Sequence, residues 1–248
     1  MASISDSVRS NFSRGARKIG KTLRIHSDYD HTIPAEIKND EFYDLISSIA
    51  SAAPVTTMLE IGSSNGEGST SAFVQGIKQN PGRPTLYCME VSQPRYKELT
   101  RRFAGEPQVR CYNVTSVPLD RFPTNAEITD FYRTGDSGLN RIPLKEVLRW
   151  LEQDRRYLSR MGPSRNGIRM IKDENGIDSF GMVLIDGSEF SGRAELDEVY
   201  GADYLLLDDI GTYKNFHNYR RLAEDPAYEL VAANKHLRNG YAAFERKR

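Results

Sequence analysis

The apolar positions of the chain follow two periodicities along most of its length. Nearly continuous apolar runs predict buried strands, and apolar residues three and four positions apart predict helices. The first helix is predicted to begin at Asn39 or Asp40 and to end near Ala52. The predicted strands cover residues 55–61, 85–91, 108–112, 180–186, 204–207, 228–233 and 241–245, and the later helices cover residues 69–78, 94–103, 143–158 and 216–223.

This alternation predicts an α/β fold with a Rossmann-like, mostly parallel, seven-stranded sheet and helices on both faces. The last two strands are joined through a short turn that contains Arg238 and Gly240. A turn of this kind is typical of a hairpin, so we expect an antiparallel strand at the C-terminal end of the sheet. Residues 36–248 are predicted to form one domain.

A long interval separates the third predicted strand from the fourth. Residues 117–178 contain one clear helical pattern, at 143–158, and are more numerous than a single crossover helix requires. Long connections in compact domains usually have a function of their own. The interval is therefore predicted to be an inserted lid or a contact between subunits.

Composition narrows the classes of function. The chain has 34 basic and 34 acidic residues, which argues against a general nucleic-acid-binding protein. No apolar stretch approaches the roughly 20 residues that span a bilayer, and the N-terminus lacks the apolar core of a secretory signal. The two cysteines, Cys88 and Cys111, lack metal-ligand spacing and predict buried free thiols. We therefore expect a cytoplasmic protein.

The first 35 residues differ from the rest in charge. Residues 1–25 have a single acid, Asp6, and an excess of basic side chains that consists of Arg9, Arg14, Arg17, Lys18, Lys21 and Arg24. The segment is predicted to be a basic extension or a lid, in which residues 28–31 would fold over a ligand. A solvated extension without a partner is the alternative.

A turn with three glycines follows the first predicted strand. Gly62 lets the chain reverse, and Gly66 and Gly68 would let the backbone approach a ligand closely. The N–H groups at the start of the next helix would then face the crevice at the carboxyl ends of the strands. An ordinary tight turn between a strand and a helix would contain the same residues.

A carboxylate at the end of the second predicted strand adds a second element. Glu90 stands where a side chain can accept hydrogen bonds from both hydroxyls of a ribose. The alternative is a surface carboxylate at a strand end. Together, the glycine turn and Glu90 predict a ligand of the nucleotide type.

The pattern Glu60-x-Gly62-x-x-x-Gly66-x-Gly68 resembles the first motif of class I S-adenosylmethionine-dependent methyltransferases. The resemblance covers roughly residues 50–248 apart from the insertion, and the closing strand pair is similar to the family's reversed seventh strand. It implies that S-adenosylmethionine is the cofactor and that a small-molecule acceptor is the partner. The residues that it implies for cofactor binding are Glu60, Gly62, Ser63, Gly66, Gly68 and Ser69 for the methionine part, Glu90 for the ribose, and Asn113 and Ser116 for the adenine side.

Three carboxylates follow the fourth and fifth predicted strands. Asp186, Asp208 and Asp209 should meet at one edge of the sheet, where a bound cation would relieve their repulsion. Oxygen ligands suit Mg2+. The set resembles the metal site of catechol-type and macrolide-sugar (macrocin-like) O-methyltransferases, which implies methyl transfer to a metal-held hydroxyl of a small molecule or sugar. Alternatively, Asp186 caps a helix, and the Asp208 and Asp209 pair orders a loop.

The candidate catalytic groups are Asp186 and Glu189. The sugar-modifying relatives often have a histidine base where this chain has Glu189. A carboxylate can act as a general base, normally with a raised pKa. Glu189 could instead be a further metal ligand or could indicate a different substrate.

Other function classes remain open. Gly62, Ser64 and Gly66 also match the nucleophile elbow of α/β-hydrolases, with Ser64 as the nucleophile and His217 or His236 as the base. The mainly helical residues before the turn and the lack of a role for Glu90 disfavour this alternative. A second alternative is a binding or partner subunit that has the methyltransferase fold but no catalysis. A third, an NAD-dependent enzyme, is disfavoured by the glycine spacing. Formation of a homo-oligomer is compatible with all of these.

Overall fold

The computed structural model of the chain describes residues 34–160 and 165–247. The predicted basic arm at residues 1–25 and the candidate lid at residues 28–31 lie outside the described residues. The fold described below is that of the predicted domain.

One mixed sheet forms the centre of the described residues, in the order β3-β2-β1-β4-β5-β7-β6. Among the described strands, β7 runs antiparallel to the other six, and it pairs with β5 and β6. The strands are β1 (Thr57–Ile61), β2 (Thr85–Met89), β3 (Val109–Tyr112), β4 (Met182–Ile185), β5 (Tyr204–Asp208), β6 (Tyr228–Asn234) and β7 (Tyr241–Arg246). The mostly parallel α/β sheet with an antiparallel C-terminal strand is confirmed.

The strand order reverses between β1 and β4, which are hydrogen-bonded neighbours at the centre of the sheet. β2 and β3 lie on one side of this pair, and the remaining strands lie on the other. In an open α/β sheet, ligands bind in the crevice outside the carboxyl ends of the strands at such a reversal. The topology therefore places a binding site above the ends of β1 and β4.

Helices cover both faces of the sheet, as predicted. Successive strand residues alternate between the faces: Met58 packs with the helices of one face, and Leu59 packs with those of the other. The first face has α1 (Glu41–Ala52), α2 (Ser69–Gln79) and α3 (Gln93–Arg102), and the second has α4 (Asn125–Thr134), α5 (Leu144–Arg160), α6 (Gly167–Asn175), α7 (Gly192–Val199) and α8 (Tyr213–Glu224). Within the described ranges, no helix has both the length and the apolar composition that crossing a bilayer requires.

The helices α4, α6 and α7 have no counterpart in the sequence prediction. α4 begins with a capping box, in which Thr124 and Glu127 bond reciprocally to each other's backbone N–H groups. α6 begins at the capping side chain of Asn166 and ends at Gly176, which has φ +63°. These short helices have start and stop signals, but few apolar positions repeat within them, so periodicity alone did not reveal them.

The segment 117–178 packs against the sheet instead of standing away from it. Buried side chains from this segment, among them Ile128, Trp150 and Ile168, belong to the same apolar cluster as the strand residues of the second face. Much of the surplus length is therefore core. An additional role as a lid or as a subunit contact stays a prediction.

Asn80 joins the ends of α1 and α2. Its side-chain amide donates to the carbonyls of Ala50 and Ala53 at 2.9 Å each, and its side-chain oxygen accepts from Gly82 N at 2.8 Å. The side chain is 5% exposed. Because α2 directly follows the glycine turn, this buried contact helps to fix the helix that begins at the predicted site.

We expect Asn80→Ala to destabilise the protein by about 2 kcal/mol, because two carbonyls and one N–H group lose a buried partner. For a chain of this size the melting temperature should fall by about 4–8 °C. Calorimetry would measure the change. The neighbouring exposed substitution Gln79→Ala is the control and should shift stability by less than about 0.5 kcal/mol. Equal effects of the two substitutions would contradict the role given to Asn80.

Candidate functional site

A cavity lies at the carboxyl ends of β1, β2 and β4. It is lined by residues 61–65 after β1, residues 89–91 after β2, residues 114–117, residues 186–188 after β4, and residues 34–37. The predicted site residues that line it are Gly62, Ser63, Gly68, Ser69, Glu90, Ser116, Asp186 and Asp209. The structure therefore brings most of the predicted site to one cavity, at the place that the topology indicates.

Gly62 and Gly66 both have a positive φ, but only Gly62 faces the cavity. A Cβ on Gly62 would lie 2.1 Å from the backbone oxygen of Asp186, so glycine is needed where β1 passes the end of β4. A Cβ on Gly66 would lie 2.5 Å from the ring of Phe103. The missing side chain of Gly66 therefore makes room for α3 and the residue that follows it, and a contact between Gly66 and a ligand stays a prediction.

Gly68 lies beneath the segment that precedes α1. A Cβ there would lie 3.0 Å from the Ile37 oxygen and 3.2 Å from the Ala35 Cβ. Pro34, Ala35 and Glu36 also line the cavity. The last residues of the predicted N-terminal extension thus cross the glycine turn and form one wall of the cavity.

Glu60 supports the start of α2 from outside the cavity. It is fully buried and accepts a hydrogen bond from the Thr70 hydroxyl at 2.6 Å. Burial raises the pKa of its carboxyl, and hydrogen bonds from neighbouring hydroxyls, Ser63 first, oppose that rise. Glu60 is not among the residues that line the cavity, so its predicted direct contact with a ligand is not supported by its position.

Glu90 is fixed at the end of β2. It is 5% exposed, and its Oε1 accepts from Ser92 N at 2.6 Å. Burial raises the pKa of Glu90, while the Ser92 N–H, the Arg95 charge and the Ser64 N–H oppose that rise. Arg95, which the sequence interpretation missed, lines the cavity beside it. A held carboxylate at this place can accept hydrogen bonds from a diol.

The two polar residues predicted near an adenine have different positions. Asn113 donates to the carbonyls of Glu90 and Val91 at 2.8 and 3.0 Å, so it anchors the turn after β2 and does not line the cavity. Ser116 does line the cavity, and its hydroxyl donates to Glu195 Oε1 at 2.5 Å. The adenine-side prediction therefore fits Ser116, and Asn113 acts as a support.

Apolar side chains form part of the cavity wall. Val114, Val117, Phe122 and Leu158 line the cavity together with Ser116. Phe122 and Leu158 come from the segment between β3 and β4 and were not predicted as site residues. Such side chains can pack against a flat aromatic ligand group.

Asp186, Asp208 and Asp209 meet as predicted, and each offers an oxygen within 4.8 Å of the others. Their partner, however, is a side chain that was not predicted. The Lys214 ammonium lies 2.7 Å from Asp186 Oδ1 and 2.7 Å from Asp209 Oδ2. Arg238 lies 3.1 Å from Asp208 Oδ1. Asp209 has φ +57°, an uncommon conformation for an aspartate that is often found at functional sites.

These contacts allow a test of the predicted magnesium site. Mg2+ needs several oxygen ligands in near-octahedral geometry, with room for retained waters. Here one oxygen of Asp186 and one of Asp209 contact the ammonium of Lys214, whose side chain is 0% exposed, and an oxygen of Asp208 contacts Arg238. The Asp209 Oδ1 atom also accepts from Asn239 at 2.9 Å. The carboxylate set does not fit a Mg2+ ion.

Glu189 lies behind the cavity. Its Oε1 accepts from Lys214 N at 3.2 Å, and its Oε2 accepts from the Thr212 hydroxyl at 3.1 Å. It is 2% exposed and does not line the cavity. Burial, with the nearby Asp209 charge, raises the pKa of Glu189 to about 8. The raised pKa suits a base, but the position suits a residue that fixes the start of α8.

Two acids that do line the cavity titrate near neutrality. Burial raises the pKa of Asp186 to about 7 against the opposing charge of Lys214. Burial and the Asp209 charge raise the pKa of Glu36 to about 7. Burial alone would lower the pKa of Lys214, but Asp186 and Asp209 raise it well above its ordinary value. The site thus contains a permanent cation beside acids that can take up a proton.

The hydrolase alternative lacks its base. Ser64 lines the cavity, with φ +49°. His217 packs instead against the rings of Phe131, Tyr213 and Phe216. In the described part of the chain, neither His217 nor His236 forms a side-chain hydrogen bond to Ser64. Among the described residues, no serine triad is therefore assembled at this cavity.

The amino-acid sequence matches no family model and no curated protein. The fold, however, resembles solved structures. A Bacillus cereus O-methyltransferase in complex with SAH has a TM-score of 0.52 and 13% identity, covering 92% of this chain and 90% of its own. The O-methyltransferase TomG of Streptomyces achromogenes, in complex with SAM and involved in tomaymycin synthesis, has a TM-score of 0.52 and 14% identity, covering 93% and 89%.

A third resemblance covers nearly the whole of both chains. The SAH-bound methyltransferase PaMTH1 of Podospora anserina has a TM-score of 0.51 and 11% identity, covering 100% of this chain and 99% of its own. Together with the sheet order, these likenesses confirm the Rossmann-like fold of methyltransferases. At such low identity they concern the fold alone.

The raised pKa of Glu189 has a consequence for stability. The carboxyl deprotonates at its ordinary value of 4.5 when unfolded but near 8 when folded, so the folded state binds more protons between these values. Stability from this group therefore declines as the pH rises from about 4.5 to about 8. Glu189→Gln, which is neutral throughout, should gain stability relative to wild type over this range, by up to about 1.4 kcal/mol per pH unit.

Urea unfolding of both proteins at several pH values from 5 to 8 measures the difference. Glu174→Gln, on the exposed surface of α6, is the matched control and should give a difference that does not change with pH. A pH-independent difference for Glu189→Gln as well would show that Glu189 is charged in the folded protein.

Proposed function

We propose that the chain is an S-adenosylmethionine-dependent methyltransferase that transfers a methyl group to a hydroxyl of a small molecule or sugar. The observation that supports this most strongly is the position of Glu90. Its buried carboxylate and the glycine turn after β1 line one cavity at the reversal of the strand order. The O-methyltransferases with the same fold agree with the proposal.

The residues of the cavity fit the cofactor in three places. Gly62, Ser63 and Ser69 would hold the methionine part at the start of α2, where free N–H groups favour a carboxylate. Glu90 would accept from the ribose hydroxyls. Ser116 would lie on the adenine side.

When bound, S-adenosylmethionine supplies an activated methyl group on its sulfonium. The protein then needs to bring an acceptor oxygen into line with that methyl group, and such alignment can contribute roughly 7–11 kcal/mol. The cavity walls from residues 34–37 and 186–188 bound the space left for an acceptor. We infer that transfer depends mainly on positioning.

Asp186 is the group that we propose to receive the hydroxyl proton. Its side chain is 20% exposed, and it lines the cavity while Lys214 holds its Oδ1. A carboxylate anchored on one side can accept a hydrogen bond on its open side. Glu189, which does not reach the cavity, would act through Thr212 and the backbone of Lys214 as a positioning residue.

We expect S-adenosylhomocysteine at about 100 times its dissociation constant to stabilise the wild type by roughly 2.7 kcal/mol. The melting temperature should then rise by roughly 5–10 °C. The shift should largely vanish in Glu90→Ala, because the ribose loses its acceptor. Glu229→Ala, on the exposed side of β6, is the matched control and should keep the full shift. No shift in a folded wild type would contradict the proposal.

A binding subunit without catalysis would pass that test, so a second measurement separates the two functions. S-adenosylhomocysteine release from S-adenosylmethionine is followed with a panel of polyhydroxylated acceptors. Turnover that is lost in Asp186→Ala and retained in Glu229→Ala supports the enzyme. Cofactor binding without turnover on any acceptor would favour the non-catalytic partner subunit.

A further inference from the structure

An acidic cluster at the ends of β4 and β5 contains Asp186, Asp208 and Asp209, with oxygens within 4.8 Å of one another. Asp186 directly follows β4, and Asp208 and Asp209 end and follow β5, its parallel neighbour, so the backbone holds the three residues close together. Buried like charges at such distances repel one another strongly. Positive charge inside the cluster relieves this repulsion where the carboxyls are ionised.

Lys214 supplies that charge from the first turn of α8. Its ammonium contacts two of the three carboxylates at 2.7 Å each, and its side chain is 0% exposed. An ammonium with short contacts to carboxylates from two strand ends takes the bridging place that a divalent cation would take. Arg238 supplies a second positive charge and forms ion pairs with Asp208 and Asp40.

The position of Lys214 is fixed by its neighbours in the chain. The Asn215 amide donates to the carbonyls of Ile185 and Asp208, at 3.0 and 2.6 Å, which ties the start of α8 to the ends of β4 and β5. Glu189 accepts from the backbone N–H of Lys214. The ammonium is therefore built into the cluster by the fold and cannot swing out into solvent while these contacts hold.

A divalent ion would have to share Asp186 and Asp209 with this ammonium. The two cations would then lie within a few ångströms of each other in a site from which water is largely excluded, where screening is weak. The two would repel, and the ammonium has no exposed surface on which to relocate. Occupation by Lys214 and occupation by a metal are thus mutually exclusive.

We propose that the Lys214 ammonium is the resident cation of this site, so that the chain binds no divalent metal between Asp186, Asp208 and Asp209. It follows, on the basis of the proposed function, that methyl transfer needs no divalent metal. Lys214 acts here as a positioning residue, because it holds the Asp186 carboxylate and is not itself in contact with the cavity.

The test measures Mn2+ binding to the full chain by electron paramagnetic resonance. Mn2+ is the probe because it prefers the same oxygen ligands as Mg2+. Wild type should bind no more Mn2+ than Asp209→Asn, which removes one ligand. Lys214→Met, which keeps the length of the side chain and removes the charge, should gain a one-to-one site with an affinity at least roughly tenfold higher. Lys145→Met, at an exposed lysine of α5, is the matched control and should gain none.

A one-to-one Mn2+ site in wild type that disappears in Asp209→Asn would overturn the proposal, and this arm needs no lysine variant. If Lys214→Met folds, as judged by circular dichroism, and still binds no Mn2+, the claim that Lys214 occupies a cation site is wrong. If Lys214→Met does not fold, the comparison of Mn2+ binding between wild type and Asp209→Asn decides.

The cofactor is measured separately on the same samples. If S-adenosylhomocysteine does not raise the melting temperature of the wild type, the proposed function is contradicted. The Mn2+ result then decides by itself whether Lys214 occupies the cation site. If turnover is found, EDTA should leave it unchanged. Turnover that EDTA abolishes and added Mg2+ restores would overturn the proposal, even if S-adenosylhomocysteine raises the melting temperature as expected.

Discussion

A buried ammonium between two strand ends is the interaction on which the side of the cavity at the ends of β4 and β5 depends. Lys214 satisfies Asp186 and Asp209, and without it both would face repulsion in a site with little access to water. Breaking a buried ion pair by removing one partner typically costs about 3–5 kcal/mol. The same contact holds one oxygen of Asp186 and leaves its carboxylate directed along the cavity wall.

The remainder of the site is arranged around the reversal of the strand order. Because β1 and β4 are neighbours, the glycine turn after β1 and Asp186 after β4 lie side by side, with the backbones so close that Gly62 has no room for a side chain. β2 adds Glu90 on one side, and β5 adds Asp209 on the other. A ligand that fills the cavity therefore meets Glu90, the start of α2 and the acidic cluster along the sheet edge.

The sequence allowed the sheet, the glycine turn, Glu90 and the meeting of the three aspartates to be predicted, because each follows from periodicity and from the position of a residue at a strand end. It did not reveal Lys214. The start of α8 is set by Glu189 and Asn215, whose contacts join residues far apart in the chain. The predicted helix began at residue 216, three residues after the observed start, and so did not include the lysine. The packing of Gly66 against Phe103 was not predicted for a similar reason, because the two residues are far apart in the chain.

The most direct test of this account is a crystal structure of the full chain grown with S-adenosylhomocysteine and Mn2+, with anomalous scattering recorded for manganese. The account predicts ribose hydroxyls within hydrogen-bond distance of Glu90, Lys214 between Asp186 and Asp209, and no anomalous peak among the three aspartates. A ribose placed away from Glu90, or a manganese peak at the cluster with Lys214 displaced, would contradict it.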